Sequence, residues 1–422
     1  KNIMKKTEGN MTVNKNKLEN YAKLAVEFGV NVQKNEDVLI NSSLEDPTLA
    51  RLIAKYAYEK GARLVSINWK DEELTKLKYT YETQETLNEV PDYIIEKNIY
   101  QLEKHRSNRI SIIGDDPDLL KNLDQKKIAE AVRENSLKLK DFVKYTMNDM
   151  VSWLVIAYPT KKWAKKIFPD LDDQKAVDKL WEVIFDVSRV DEDWEKTKKN
   201  WNDHVGLLNE KAEFLNSHQF DEVHYTSKNG TDLRVKLPKN HIWMSASSKN
   251  EKGDLFLPNI PTEEVFTSPQ FDGVDGRLVA VKPLVYNGVI INNFEFTFEN
   301  GKVVDFKAEE GYDTLTEMLE SDENAKYLGE IALVPYESPI SKSNILFFNT
   351  LFDENASCHF ALGKAYPTTI KGGTEVEDKD LNKIGLNDSL IHEDFMVGAK
   401  DLTIKAYKDG EEFDVFVDGN WA

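Results

Sequence analysis

The stretch S-L-I-H-E-D-F-M-V-G, residues 389–398, decides how the second half of this chain folds. It is apolar enough to be buried, yet it carries His392 and Asp394 two positions apart. In an extended strand successive side chains alternate, so His392 and Asp394 share one face and Glu393 takes the other. An imidazole and a carboxylate converging from one face suit a metal ion. They equally suit a plain hydrogen-bonded pair, and the neighbouring sequence has to separate the two readings.

Around that stretch the sequence reads as antiparallel strands joined by tight turns. Val223–Thr226 and Leu233–Leu237 flank Lys228-Asn229-Gly230, Asn293–Phe298 and Val303–Lys307 flank Asn300-Gly301, and Leu402–Tyr407 and Phe413–Val417 flank Asp409-Gly410. Asn-Gly and Asp-Gly between alternating apolar runs are hairpin signals, because both residues tolerate positive φ. A short helix is expected near Thr314–Glu320.

The first half has a different rhythm. Leu18, Tyr21, Ala22, Ala25 and Phe28 form one helical stripe that stops at Gly29. Val38–Ile40 reads as a buried strand, and Asp46 as the cap of a helix that opens at Pro47 and runs to Gly61. Leu64–Trp69, Arg109–Ile113 and Val151–Tyr158 supply further strands between helical stretches. This β-α-β order predicts a mainly parallel sheet covered by helices. The expected organisation is an α/β N-terminal domain with a mainly parallel sheet, residues 11–205, then a β-rich α+β C-terminal catalytic domain, residues 218–422. A charged helix across roughly 191–217 joins them.

At 422 residues the chain exceeds one core. Its formal charge of −19 argues against nucleic acid or an anionic membrane as the main partner and is compatible with cations. The only cysteine, Cys358, excludes an internal disulfide, which fits a reducing cytoplasmic compartment. No apolar run approaches the ~20 residues of a membrane span, and the polar start lacks a secretory leader. Met11 is the expected start, with residues 1–10 an upstream extension. Dinucleotide and Walker A motifs are absent from the sequence, as is the His-Glu-x-x-His zinc helix.

Chemistry-bearing residues crowd into four segments: P-T-E-E-V-F-T-S-P (261–269), G-E-I-A-L-V-P (329–335), N-T-L-F-D-E-N-A-S-C-H-F-A-L-G-K-A-Y (349–366), and the opening stretch. Each sets a metal-capable side chain inside or beside apolar sequence. Taken singly, each has a plainer reading: a solvated turn for Glu263 and Glu264, an edge-strand charge for Glu330, a satisfied core histidine for His359, an amphipathic core residue for Tyr366. Cys358 next to His359 reads as a small buried hydrophobe, because adjacent strand residues face opposite ways. Convergence of Glu264, Glu330 and Asp394 with neutral His359 and His392 would gather a charge of about −3. Two divalent cations with one hydroxide would return it to near zero. Mixed carboxylate and imidazole donors suit zinc, cobalt or manganese better than calcium.

In this order the four segments resemble the thermophilic-type aminopeptidases of the M29 metallopeptidase family, and the resemblance runs from Met11 to the end. It implies two divalent metal ions per subunit (zinc, cobalt, manganese or magnesium) and release of N-terminal amino acids from peptides with a free N-terminus. It also implies a homodimer whose active sites face an enclosed space. Matched residue by residue, the metal ligands fall on Glu264, Glu330, His359, His392 and Asp394, and the active-site tyrosine on Tyr366. Glu263 is the candidate for moving the proton to the leaving amine, with Glu354 second. Two other readings stand beside this one: another dinuclear metallohydrolase acting on amide bonds, and a non-catalytic metal-binding protein.

Overall fold

The structure, a computed structural model, describes residues 13–422, so Met11 and the segment before it lie outside the described residues. The first half builds a five-stranded sheet in the order 64–70, 37–43, 108–113, 153–157, 259–260, with every ladder parallel. The four strands read from sequence are all present. The fifth, Asn259–Ile260, comes from the second half and pairs with Val155 and Ile156.

The helices follow their apolar stripes. Lys15–Leu24 buries Leu18, Tyr21 and Ala22, and a π-helical turn, Ala25–Gly29, ends it. The next helix is Thr48–Lys60. Pro47 is its N-cap, while Asp46 accepts from the Thr48 N–H at 2.7 Å, and Gly61 closes it at φ +106°. The charged connector is a 25-residue helix, Trp194–His218, anchored by buried Trp201, Leu208 and Leu215. None of the helices in the described residues is long and apolar enough to cross a membrane.

The second half is strand-rich. The three hairpins read from sequence appear as Glu222–Thr226/Asp232–Lys236, Val289–Glu299/Lys302–Glu310 and Thr403–Lys408/Glu411–Val417, all within one large sheet. A separate four-stranded antiparallel sheet has the order 265–267, 328–333, 359–363, 392–396. It packs its apolar face on the large sheet through contacts such as Phe360 with Tyr225 and Phe395 with Phe296. Leu328–Leu333 and His359–Gly363 are buried along their whole length, which explains their nearly unbroken apolar sequence. The opposite face of this sheet carries Glu330, His359, His392 and Asp394. The chain passes from the parallel sheet at Ile260 to the antiparallel one at Val265, so the short link holding Glu264 ties the two together.

Gly363 is where close approach is most demanding. It sits at φ +103°, and a Cβ there would stand 2.1 Å from the Ile391 carbonyl oxygen. Gly363→Ala should lower the thermal unfolding midpoint by a few degrees, since strained backbone and a backbone clash both act against it. Unfolding followed by circular dichroism checks this; an unchanged midpoint would contradict the tight register.

Candidate metal centre

Cross-strand pairing explains why the acidic and imidazole groups meet. Glu330 lies opposite Ala361, and Ala361 lies opposite Asp394. His359 sits two residues before Ala361 on the same face, and His392 two before Asp394. Phe266 pairs with Ala332, so Glu264, two residues earlier, joins that face as well. The positions between are small (Ala332, Ala361, Gly363), which leaves room for five longer side chains. Glu393 takes the other face, as alternation requires.

The five side chains form two triads that share Glu330: Glu264, Glu330 and His359, and Glu330, His392 and Asp394. One Glu330 oxygen is 3.6 Å from His359 Nε2, and the other is 3.5 Å from His392 Nε2. His359 Nε2 also stands 3.1 Å from Glu264 Oε2, and His392 Nε2 stands 3.8 Å from Asp394 Oδ1. Ligand atoms bonded tetrahedrally to one ion at ~2.1 Å lie roughly 3.4 Å from each other, so this spacing fits a divalent ion in each triad. Both imidazoles are oriented by backbone carbonyls. His359 Nδ1 meets the Ser357 oxygen at 3.0 Å and His392 Nδ1 the Lys364 oxygen at 2.7 Å. With Nδ1 donating to a carbonyl, Nε2 of each ring faces the carboxylates and is the nitrogen that would bind an ion once it gives up its proton.

The electrostatics agree. Burial, reinforced by the charges of Asp394 and Glu264 and opposed by the hydrogen bond from His359, pushes the Glu330 carboxyl up to about 7. Burial and the same neighbours hold Glu354 well above the usual carboxylate range. Burial disfavours the charged form of His359, but hydrogen bonds to Glu264 and Glu330 outweigh it and raise that imidazole. His392 is raised in the same manner, with Asp394 and Glu330 overcoming burial. Without a cation, then, the cluster holds protons as its counter-charge. Divalent cations would replace them.

A cavity of about 260 Å³ opens onto the cluster. Its lining includes all five candidate ligands together with Tyr366 and Glu354. The Tyr366 ring stands edge-on to His392 at 5.0 Å, and its hydroxyl is pushed well above the normal range, by burial first and then by Glu330 and Asp394. It stays a protonated donor. Glu263, read from sequence as the proton carrier, is engaged elsewhere: Arg189 grips its carboxylate through two bonds of 2.5 and 2.9 Å, and it does not line the cavity. Its backbone N–H donates to Asn355 Oδ1 at 2.7 Å, so the residue fixes the segment that presents Glu264. Cys358 is a buried thiol donating to the Val334 carbonyl, and burial pushes it up to about 12, which removes it as a nucleophile. Residues of the first half also line the cavity: Ile113, Asp149, Trp153 and Val155. Sequence reading missed these, because no local signal shows which face of a parallel strand lines a site.

The sequence profile of "Thermophilic metalloprotease (M29)" matches residues 14–421. Aminopeptidase AmpS of Bacillus subtilis is 48% identical over 407 residues, covering 96% of this chain and 98% of its own. Aminopeptidase 2 of Geobacillus stearothermophilus is 44% identical over 406 residues, covering 96% and 97%. The solved structure of wild-type AmpT from Thermus thermophilus superposes with a TM-score of 0.88 at 33% identity, over 96% of this chain and 99% of that one.

Because Glu330, His359 and His392 must release their protons before an ion can bind, loading the centre should liberate protons, and affinity should rise as the pH is raised from 6 upward. Titration calorimetry of the metal-free protein in buffers of different ionisation heat reads both effects. A pH-independent affinity would contradict the arrangement.

Proposed function

The chain belongs to the M29 family of thermophilic metalloproteases, and from that premise we propose that it is a metal-dependent aminopeptidase cutting the first peptide bond of substrates with a free amino terminus. The observation that carries the finer reading is the sharing of Glu330 between two ligand triads. Glu264, Glu330 and His359 would hold one divalent ion, and Glu330, His392 and Asp394 a second. Two carboxylates and one imidazole per ion fit zinc, cobalt, manganese or magnesium, with zinc and cobalt preferred for the imidazoles. Such ions, when bound, supply Lewis acidity and a water acidified toward neutral pH.

The protein's own groups complete the reaction. Tyr366, held against His392 and protonated throughout the working pH range, donates to the oxyanion that develops on the scissile carbonyl. Glu354 lines the cavity, and burial with the charges of Asp394 and Glu264 raises its carboxyl above the usual range, so it takes the role of carrying a proton to the leaving amine. This assigns to Glu354 the role that sequence reading gave first to Glu263. Acidic groups around the cavity also attract the substrate ammonium, which accounts for action at chain ends. We further propose that the halves 11–205 and 218–422 act as scaffold and catalytic domain, that the protein works as a homodimer, and that it resides in the cytoplasm. The lone buried Cys358 suits that compartment.

Chelator-treated protein should lose hydrolysis of aminoacyl-nitroanilides and regain it with cobalt or zinc, and N-acetylated peptides should resist the loaded enzyme. Full activity without metal would defeat the proposal. Tyr366→Phe should lower kcat by about 10²-fold at unchanged metal content by atomic spectroscopy, the loss expected for one oxyanion donor. Glu354→Gln should lower kcat and flatten its pH profile, whereas Glu263→Gln should chiefly lower stability.

A further inference from the structure

A second cavity, about 240 Å³, adjoins the first and shares Trp153, Val155 and Tyr366 with it. Both rest on one face of the parallel sheet. Along Asn108–Ile113 the burial alternates, with Arg109, Ser111 and Ile113 on the cavity side. Arg109 pairs with Trp153 and Ser111 with Val155, so a continuous floor runs from Ile113 in the first cavity to Arg109 in the second. At ~3.3 Å per residue this floor is about 13 Å long.

Among the described residues, Arg109 is the only charged one lining the second cavity. Its guanidinium stacks on Phe142 at 4.2 Å, and among the described residues no carboxylate pairs with it. Burial alone lowers it, to about 10. A cation–π contact offsets only part of the cost of desolvating a charge. An arginine kept in such a place is set for an anion that arrives. The first cavity carries buried Asp149, whose carboxylate accepts from Trp153 Nε1 and likewise has no cationic partner among the described residues. The two cavities therefore match the two ends of a short peptide, with Tyr366 between them.

Building on the aminopeptidase reading, we propose that Arg109 binds a carboxylate of the substrate on the leaving-group side of the scissile bond. Bidentate guanidinium–carboxylate pairing supplies both the attraction and the geometry. The floor's length suits peptides of two to four residues. This makes Arg109 a specificity residue that favours short peptides ending in a free carboxylate.

The test compares kcat/KM for di- to tetrapeptides with free carboxyl ends against their C-terminal amides, and against amides carrying aspartate after the first residue. The metal-loaded wild type should favour the free carboxylate by about tenfold or more, mainly through KM. In Arg109→Gln that ratio should fall to about one, and Arg109→Lys should restore part of it. If the aspartate amides show the preference instead, the carboxylate recognised is a side chain. A ratio that Arg109→Gln leaves unchanged overturns the proposal, because a merely structural loss lowers both substrates alike. Calorimetric binding of a leaving amino acid against its amide reads the same difference without turnover. Absent hydrolysis by the wild type would thus count against the aminopeptidase reading, while binding still decides Arg109.

Discussion

The Glu330 carboxylate facing two imidazoles at once is the constraint around which the second half is organised. Its oxygens stand 3.6 and 3.5 Å from His359 and His392, inside a sheet whose strands are otherwise apolar. An ionised carboxylate in such a place is costly unless compensated, and Glu264, Asp394 and Glu354 add to the repulsion. Either protons or cations must balance the group. The sheet fixes the donors before any ion arrives, which limits the reorganisation needed on binding.

The imidazoles show how the backbone shares in this. Lys364 offers its carbonyl to His392, and Gly329 lies against that same carbonyl, where a Cβ would come within 2.4 Å. Any side chain at 329 would displace the group that aims His392. The register irregularity beside Leu328 and Glu330 falls at this point, consistent with a strand bent to bring a carboxylate inward.

Much of this was legible in the sequence, for identifiable reasons. Alternation within 392–394 correctly put His392 and Asp394 together and Glu393 apart, because a strand's period is fixed by its geometry. The hairpins followed from Asn-Gly and Asp-Gly turns, and the parallel sheet from the β-α-β order. What could not be read is what depends on contacts distant in sequence. Nothing near Glu263 announces Arg189, 74 residues away, and nothing near Trp153 marks it as lining the same cavity as His359. The adjacent acids 263 and 264 are locally alike. Only the fold sends one to a guanidinium and the other to the cluster. The fifth strand of the parallel sheet was likewise missed, since two residues carry no periodicity.

That two-residue strand has a mechanical consequence. Ile260 is locked to Ile156, and Val265 to Leu333, with five peptide steps between them. A chain of that length stretches to at most about 18 Å. The floor under the cavity and the sheet above it are therefore leashed at the very residue that enters the cluster, and any hinge between the layers must swing about that leash rather than part from it.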